Sequence, residues 1–407
     1  MADAQASAEQ AARSSYGKLL ASLSATTRDI AAAEEALAEA FARALEHWPD
    51  RGVPESPEAW LLTTARNVLR DRFKSAAYRT TTSIETDETV EQAVADMDPD
   101  AIPDERLKLL FICAHPAIDE KIRTPLMLQT VLGLEAKQIA SAFLVAAPTL
   151  AQQLVRAKRK IKDARIPFTV PQSDQMPERL SSVLEAIYGA YAIDWENEIN
   201  PDITRDLSTE SLFLADLMVE LLPDEPEVLG LAALIGFSYA RREARDTTTF
   251  VPLSEQDPSR WNGFRISRAD TLLNRASGLG QLGRFQLEAA IQAVHCARRK
   301  TGITDWQSIA HLYEGLIRLA PMLGARVAQA IAIGEWQGPT TGLAALDRIE
   351  ESLAQNFQPA LVARAHLLAQ TERNIEAAKV YDKAIGLTQQ TRIVEYLVAQ
   401  RERLSSP

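Results

Sequence analysis

The chain has 407 residues, 46% of them hydrophobic and 24% charged, with a formal net charge of −11. That is an ordinary soluble composition, long enough for two or three domains with a substantial core, and its acidity argues against a nonspecific nucleic-acid coat protein. No apolar run approaches the roughly 20 residues needed to span a bilayer, the N-terminus lacks a basic-then-apolar signal pattern, and Cys113 and Cys296 form neither a disulfide framework nor a CxxC pair, so a cytoplasmic protein without a membrane partner is expected.

Ala, Leu, Glu, Arg and Gln dominate, and strand formers rarely occur in runs. These residues lose least on entering a helix, so an all-α protein is predicted. Residues 13–79 read as one helical unit. Ile30 to His47 is a long amphipathic helix with Leu37, Phe41 and Leu45 at spacings of four on one face. Trp48 to Pro57 is rich in breakers and reads as a loop. Ser56 suits an N-cap and Pro57 a first helical position, opening a helix from Glu58 to Ala77. From Arg66 onward that helix carries Arg66, Arg70, Arg72 and Lys74, with Arg79 just beyond, against Asp71 alone, and Trp60, Phe73 and Tyr78 are interleaved. Cations that hold a backbone beside rings that stack on bases suit single-stranded or melting DNA. The alternative is that the aromatics are core, which is the preferred reading for Phe73.

Residues 80–105 form an acidic linker in which nine acids, Glu85 to Glu105, meet no base. Such composition disfavours a packed core. Residues 106–168 form a second unit containing a helix, a tight turn and a second helix with a basic end. Along that second helix Leu150, Leu154, Ala157 and Ile161 repeat at four, three and four, and mark the buried stripe. The other side presents Thr149, Gln152, Gln153, Arg156 and Lys160. Gln can read adenine and Arg guanine in the major groove, while Lys158, Arg159 and Lys162 are expected at phosphates. The alternative is a solvated helix whose basic end suits the macrodipole. Ala146 and Ala147 offer no side-chain oxygen as a cap, so only Pro148 marks the start.

Residues 177–400 read as helical hairpins. Phe357 to Leu387 is the clearest, with Ala360, Ala363, Leu367 and Leu368 facing Ala377, Ala378, Tyr381 and Ala384, a pattern similar to a tetratricopeptide (TPR) repeat. Pro226 to Ala240 and Val327 to Leu353 have the same character. Gly278-Leu-Gly-Gln-Leu-Gly283 fits GxGxxG, but no strand precedes it and a turn between helices is the better reading. Cys113 with His115, and His295 with Cys296, lack further ligands at zinc spacing. No metal site, cofactor or nucleophile–base pairing is apparent, and no enzyme is expected.

Two basic helices in separate lobes, joined by an acidic tether, suggest a bipartite DNA reader. At this point the chain resembles the extracytoplasmic-function (ECF) RNA polymerase sigma factors, in the subgroup with a large helical, TPR-like C-terminal extension. The matching stretches include Ala40-Phe-Ala-Arg-Ala-Leu-Glu-His-Trp-Pro, Pro57-Glu-Ala-Trp-Leu-Leu-Thr-Thr-Ala-Arg-Asn, Ala142-Phe-Leu-Val and Leu221-Leu-Pro-Asp-Glu-Pro-Glu-Val-Leu-Gly-Leu. The resemblance implies transcription initiation at specific promoters, with core RNA polymerase and promoter DNA as partners. It implies a polymerase-binding surface at Glu34, Glu35, Glu39 and Arg43. Trp60, Thr63, Thr64, Asn67, Arg70 and Lys74 would face the melting strand. Thr149, Gln152, Gln153 and Arg156 would read the upstream element, with Lys158, Arg159 and Lys160 beside them. The C-terminal region would bind a regulatory protein. The chain departs from the family at Ala38, where relatives usually carry Gln, and at Ala151 and Gln153, where they commonly carry bases. Those departures motivate a second expectation: a degenerate homologue acting as an interaction scaffold through its TPR-like region.

Overall fold

The computed structural model describes residues 2–79, 104–143, 145–172, 174–197, 207–245 and 249–404, with side chains described from residue 15 onward except those of 74–79 and 194–197. Every regular element among them is helical. The chain divides into two compact units, one made mostly of residues 1–194 and the other mostly of residues 211–407.

In the first unit, α1 (Ala2–Thr27), α2 (Ile30–Arg51) and α3 (Pro57–Arg79) enclose Leu19, Leu20, Leu23, Leu37, Trp48, Leu61, Leu62, Ala65 and Leu69. Asp29 caps α2, its carboxylate accepting from the Ala32 amide at 3.1 Å. The buried stripe of α2 is Ala33, Ala36, Leu37, Ala40, Ala44 and Trp48. Its small residues let the neighbouring helices approach closely. The expected stripe of Leu37, Phe41 and Leu45 drifts off the core by its end: Phe41 is half-buried and Leu45 is 49% exposed. The expected loop at Trp48 is also corrected, because α2 runs through Pro49 to Arg51. Burial of Trp48 holds that last turn. The carbonyl that Pro49 leaves without its helix donor is that of Leu45, a residue at the exposed side of α2. Gly52, at φ 83°, ends the helix.

The same unit continues through α4 (Arg106–Cys113), α5 (Glu120–Thr130), α6 (Ala136–Ala142), α7 (Ala147–Asp163) and α8 (Met176–Asn197). The two lobes read separately from the sequence share this unit. Gly17 on α1 lies so close to the Val131 carbonyl, after α5, that a Cβ would stand 2.0 Å from its oxygen. Helix α9 (Leu207–Leu221) crosses the division between the units.

The second unit runs through α10 (Pro226–Ala240), α11 (Gly263–Gly278), α12 (Arg284–Thr301), α13 (Trp306–Leu319), α14 (Leu323–Gln337), α15 (Pro339–Leu346), α16 (Glu351–Ala354), α17 (Gln358–Gln370), α18 (Asn374–Gly386) and α19 (Thr391–Arg403). Helix α10 is apolar almost all round and correspondingly buried. Helices α17 and α18 form the hairpin read from the sequence, with Ala360, Ala363, Leu367, Leu368, Ala377, Tyr381 and Ala384 buried and Ala378 half-buried. At the α14–α15 corner, Gly334 and Gly342 bring two backbones together, and a Cβ on Gly342 would stand 2.8 Å from the Gly334 Cα.

The GxGxxG-like run is the turn between α11 and α12. The N-terminus of α12, where a phosphate would sit in a dinucleotide fold, is filled by the Glu227 carboxylate. That group accepts from the Phe285 amide at 2.9 Å and the Gln286 amide at 3.1 Å. An internal acid therefore satisfies the orphan donors of the helix.

Candidate nucleic-acid interface

Helices α6 and α7 form the helix-turn-helix. The Glu135 amide donates to the Gln138 side chain at 2.9 Å, fixing the start of α6. The chain then turns through 114° into α7, within the range usual for this motif. As the sequence suggests, Ala146 provides no side-chain cap, and Pro148 sits in the first turn of α7. At its other end α7 closes through Arg165, at φ 50°, with the Ile166 amide donating back to the Ile161 carbonyl at 3.2 Å.

Leu150, Leu154, Ala157 and Ile161 are buried along one side of α7. Burying that stripe turns Thr149, Gln152, Gln153, Arg156, Arg159 and Lys160 outward, and all six are exposed. Arg159 makes a 3.5 Å exposed pair with Asp163 one turn on. Such a pair has little energetic weight and yields readily to a phosphate.

One expected phosphate contact, Lys158, needs correction. Lys158 is buried, and its ammonium donates to both oxygens of Glu34 on α2, at 2.6 and 2.7 Å. Lys162 pairs with Asp29 at 2.7 Å. Both lysines lie on the flank of α7 that meets α2; Lys158 is enclosed there, whereas Lys162 stays largely exposed. The same pairs occupy part of the surface assigned to polymerase. Glu34 is taken by Lys158, whereas Glu35 and Glu39 are exposed. Glu35 is paired with Arg72 of α3, and Glu39 accepts from Arg43 at 2.9 Å. Ala38 is exposed on the same helix.

Helix α3 is built differently. Leu61, Leu62, Ala65 and Leu69 are buried, so Trp60, Thr63, Thr64 and Asn67 are half-buried and Arg70 is exposed. The Trp60 ring stands edge-on to Trp48 at 5.5 Å, and Phe73 packs against the same core, as preferred for it from the sequence. Thr64 returns its hydroxyl to the Trp60 carbonyl at 2.8 Å. The Lys74 side chain lies outside the described residues.

One outward residue escaped the sequence reading. Val155 is 65% exposed, on the face shared with Gln152 and Arg159. Its position was legible: it is offset from the buried stripe of Leu150, Leu154 and Ile161, whose spacing turns it toward solvent. Elsewhere, Cys113 is fully buried beside Thr130, and burial pushes its thiol up to about 12. No cluster of metal-ligating side chains occurs among the described residues, and no single helix is long and apolar enough to cross a membrane.

The described residues thus form an all-helical protein with a helix-turn-helix. Comparison with known proteins adds the following. Residues 12–79 match sigma-70 region 2, and residues 179–277 match a family of unknown function, DUF6596. An uncharacterized protein of Rhizobium meliloti is 33% identical over 387 residues, covering 93% of this chain and 91% of that protein. The probable RNA polymerase sigma factor RfaY of Xanthomonas campestris is 29% identical over 145 residues, covering 34% of this chain and 35% of its own length. The probable ECF RNA polymerase sigma factor SigI of Mycobacterium tuberculosis is 29% identical over 146 residues, covering 35% of this chain and 50% of its own length. The chain thus spans about a third of the one sigma factor and half of the other. No solved structure matches it at a significant level. The chain carries a sigma-70 region 2 and is related over part of its length to ECF sigma factors, with a large C-terminal region that includes the DUF6596 match.

Proposed function

We propose that the protein directs core RNA polymerase to specific promoters and takes part in opening them, with no cofactor and no catalysis of its own. In this reading residues 13–79 engage polymerase through Glu34, Glu35, Glu39 and Arg43. They meet the melting strand through Trp60, Thr63, Thr64, Asn67, Arg70 and Lys74. Residues 106–168 read the upstream element through Thr149, Gln152, Gln153 and Arg156, with Arg159 and Lys160 on phosphates. Residues 177–400 form a TPR-like regulatory region that binds a protein partner. Residence with polymerase in the cytoplasm follows from that role.

The observation that carries this reading is the polarity of α7. A fully buried apolar stripe lies opposite an outward set of Gln152, Gln153, Arg156 and Lys160, in a chain whose residues 12–79 match sigma-70 region 2. Gln and Arg supply the bidentate donors that distinguish base pairs in the major groove. The test is reconstitution. Purified protein with core polymerase should give starts downstream of a shared upstream element, and failure to bind polymerase would refute the proposal.

A second reading, an interaction scaffold that has lost polymerase function, is favoured by one observation. Ala38 stands exposed on α2, amid Glu34, Glu35 and Glu39, where the family usually carries Gln. Capture of other proteins without polymerase would support it.

A further inference from the structure

His295, without partners at zinc spacing in the sequence, lines a cavity within the second unit. The cavity has a volume of about 250 Å³ and lies between α12, α13, α14 and the turn at Leu253 and Ser254. Trp306, Ile309, Tyr313 and Ile331 give it apolar walls, and Trp306 meets the His295 ring edge-on at 5.6 Å. Apolar and aromatic walls with a few convergent polar groups are what small-molecule sites are made of. A cavity of about 150 Å³ accepts benzene, so this one has room for an aromatic ring with a short arm.

Three polar side chains along the cavity, His295, Thr304 and Tyr313, make no hydrogen bond among the described residues. Beside them stand two guanidinium groups whose partners are all neutral. Arg241 is 3% exposed and donates to the Gln292 side chain at 2.6 Å and the Cys296 thiol at 3.4 Å. Arg298 lines the cavity, lies over the Trp261 ring and donates to the carbonyls of Leu253, Ser254 and Gln256. Its buried Nε has no partner. Neither arginine forms an ion pair among the described residues. Glu255, next to Ser254 in the chain, accepts instead from the Tyr396 hydroxyl, and Glu288 of α12 is paired with Arg284. Buried cations ordinarily come with an anion, because an uncompensated charge is costly out of water. The excess charge is felt at the cavity wall: burial, with Arg241 and Arg298, holds His295 down to about 4. At neutral pH its ring is therefore uncharged and offers one N–H donor.

We propose that this cavity binds a small aromatic monocarboxylate, with its ring against Trp306 and Ile331 and its carboxylate beside His295, Thr304 and Arg298. The anion supplies the counter-charge that the two arginines lack, and the unpaired side chains supply donors. A neutral analogue fills the same space but leaves the arginines uncompensated. An aliphatic acid as short as acetate leaves the aromatic walls uncovered. The site lies wholly within the second unit and does not depend on the sigma reading. It gives that region a small-molecule ligand in addition to the protein partner proposed for it.

Saturation-transfer difference NMR on the full-length protein, without polymerase or DNA, tests the site with benzoate, phenylacetate and indole-3-acetate. At least one should bind with a Kd below about 1 mM, and its carboxamide at least about ten-fold more weakly, the effect of one charge-assisted contact. Ala328 lines the cavity from α14. Ala328→Trp, or the milder Ala328→Leu should the first not fold, fills the space without touching a charge and should abolish binding. Arg298→Gln should bring the acid down to the affinity of its amide. Should that variant fail to fold, the comparison of acid with amide on the wild type still decides the role of charge. Silence of all three acids, equal binding of acid and amide, or binding that survives the filled cavity overturns the proposal. A protein that takes the acid yet supports no transcription refutes the sigma reading alone; one that supports transcription and takes none of the acids refutes the site alone.

Discussion

Helices α3 and α7 carry similar clusters of Arg and Lys, yet they present them in different ways. Helix α7 buries a narrow stripe and leaves Gln152, Arg156 and Lys160 outside. Helix α3 is the third wall of a core, so its Trp60, Thr63, Thr64 and Asn67 are half-buried, and Arg72 is paired with Glu35. Even on α7 the cations divide: Arg156 and Lys160 point outward, whereas Lys158 and Lys162 are bound to α2. Charge content alone therefore does not measure readiness to bind DNA; what each helix is packed against decides it.

The comparison breaks most severely if α7 loses its anchor. Leu154 is 1% exposed, and Leu154→Ala should cost about 2–5 kcal/mol through lost burial and a cavity. Circular dichroism melts would measure it, and a loss under 1 kcal/mol would mean that the stripe is not the support of the helix.

The second unit supplies a contrast in pH. Burial, with Arg241 and Arg298 nearby, holds His295 down to about 4. Its ordinary value is about 6.5, so the unfolded chain takes up a proton there before the folded one does. Stability conferred by neutral His295 is present above about pH 6.5 and falls as the pH drops toward 4, by up to about 3 kcal/mol. Amide protection factors at α12, with the intrinsic pH dependence of exchange removed, should fall as the pH drops across that window, and His295→Gln should flatten the dependence; an unchanged profile in the variant would assign the acid sensitivity elsewhere.

On the outward face of α7, the proposed base contact predicts that Arg156→Ala loses about 1–3 kcal/mol of discrimination at one base pair. Lys160→Ala should weaken binding to all sequences alike and lower the salt slope by about 1. Footprinting both variants across salt separates the roles, and equal effects on every DNA would place Arg156 on phosphate. Smallest of all, Asp163→Ala should change stability by less than about 0.5 kcal/mol, since its pair with Arg159 is exposed. A larger loss in thermal melts would show that the outer face of α7 is less open than its accessibility indicates.

Much of this arrangement was legible before the structure. Leu150, Leu154, Ala157 and Ile161 repeat at helical spacing, and that period sets both the core side and the outward side of α7. The α17–α18 hairpin was legible for the same reason, its buried alanines and leucines recurring at helical spacing. Lys158 was not legible, because its partner Glu34 lies 124 residues away and periodicity carries no long-range contact. Nor was the last turn of α2. Pro49 and Gly52 are local breakers, but burial of Trp48 outweighed them. Glu227 at the start of α12 was invisible likewise, since it comes from a different helix, α10.

The central claim is that this chain gives polymerase its choice of promoter. In vitro transcription with purified full-length protein, core polymerase and a randomised promoter library tests it most directly. A sigma role predicts protein-dependent starts sharing one upstream element, and a loosened preference at one base pair of that element with Arg156→Ala. No start above core polymerase alone, or a preference that Arg156→Ala leaves intact, would contradict it.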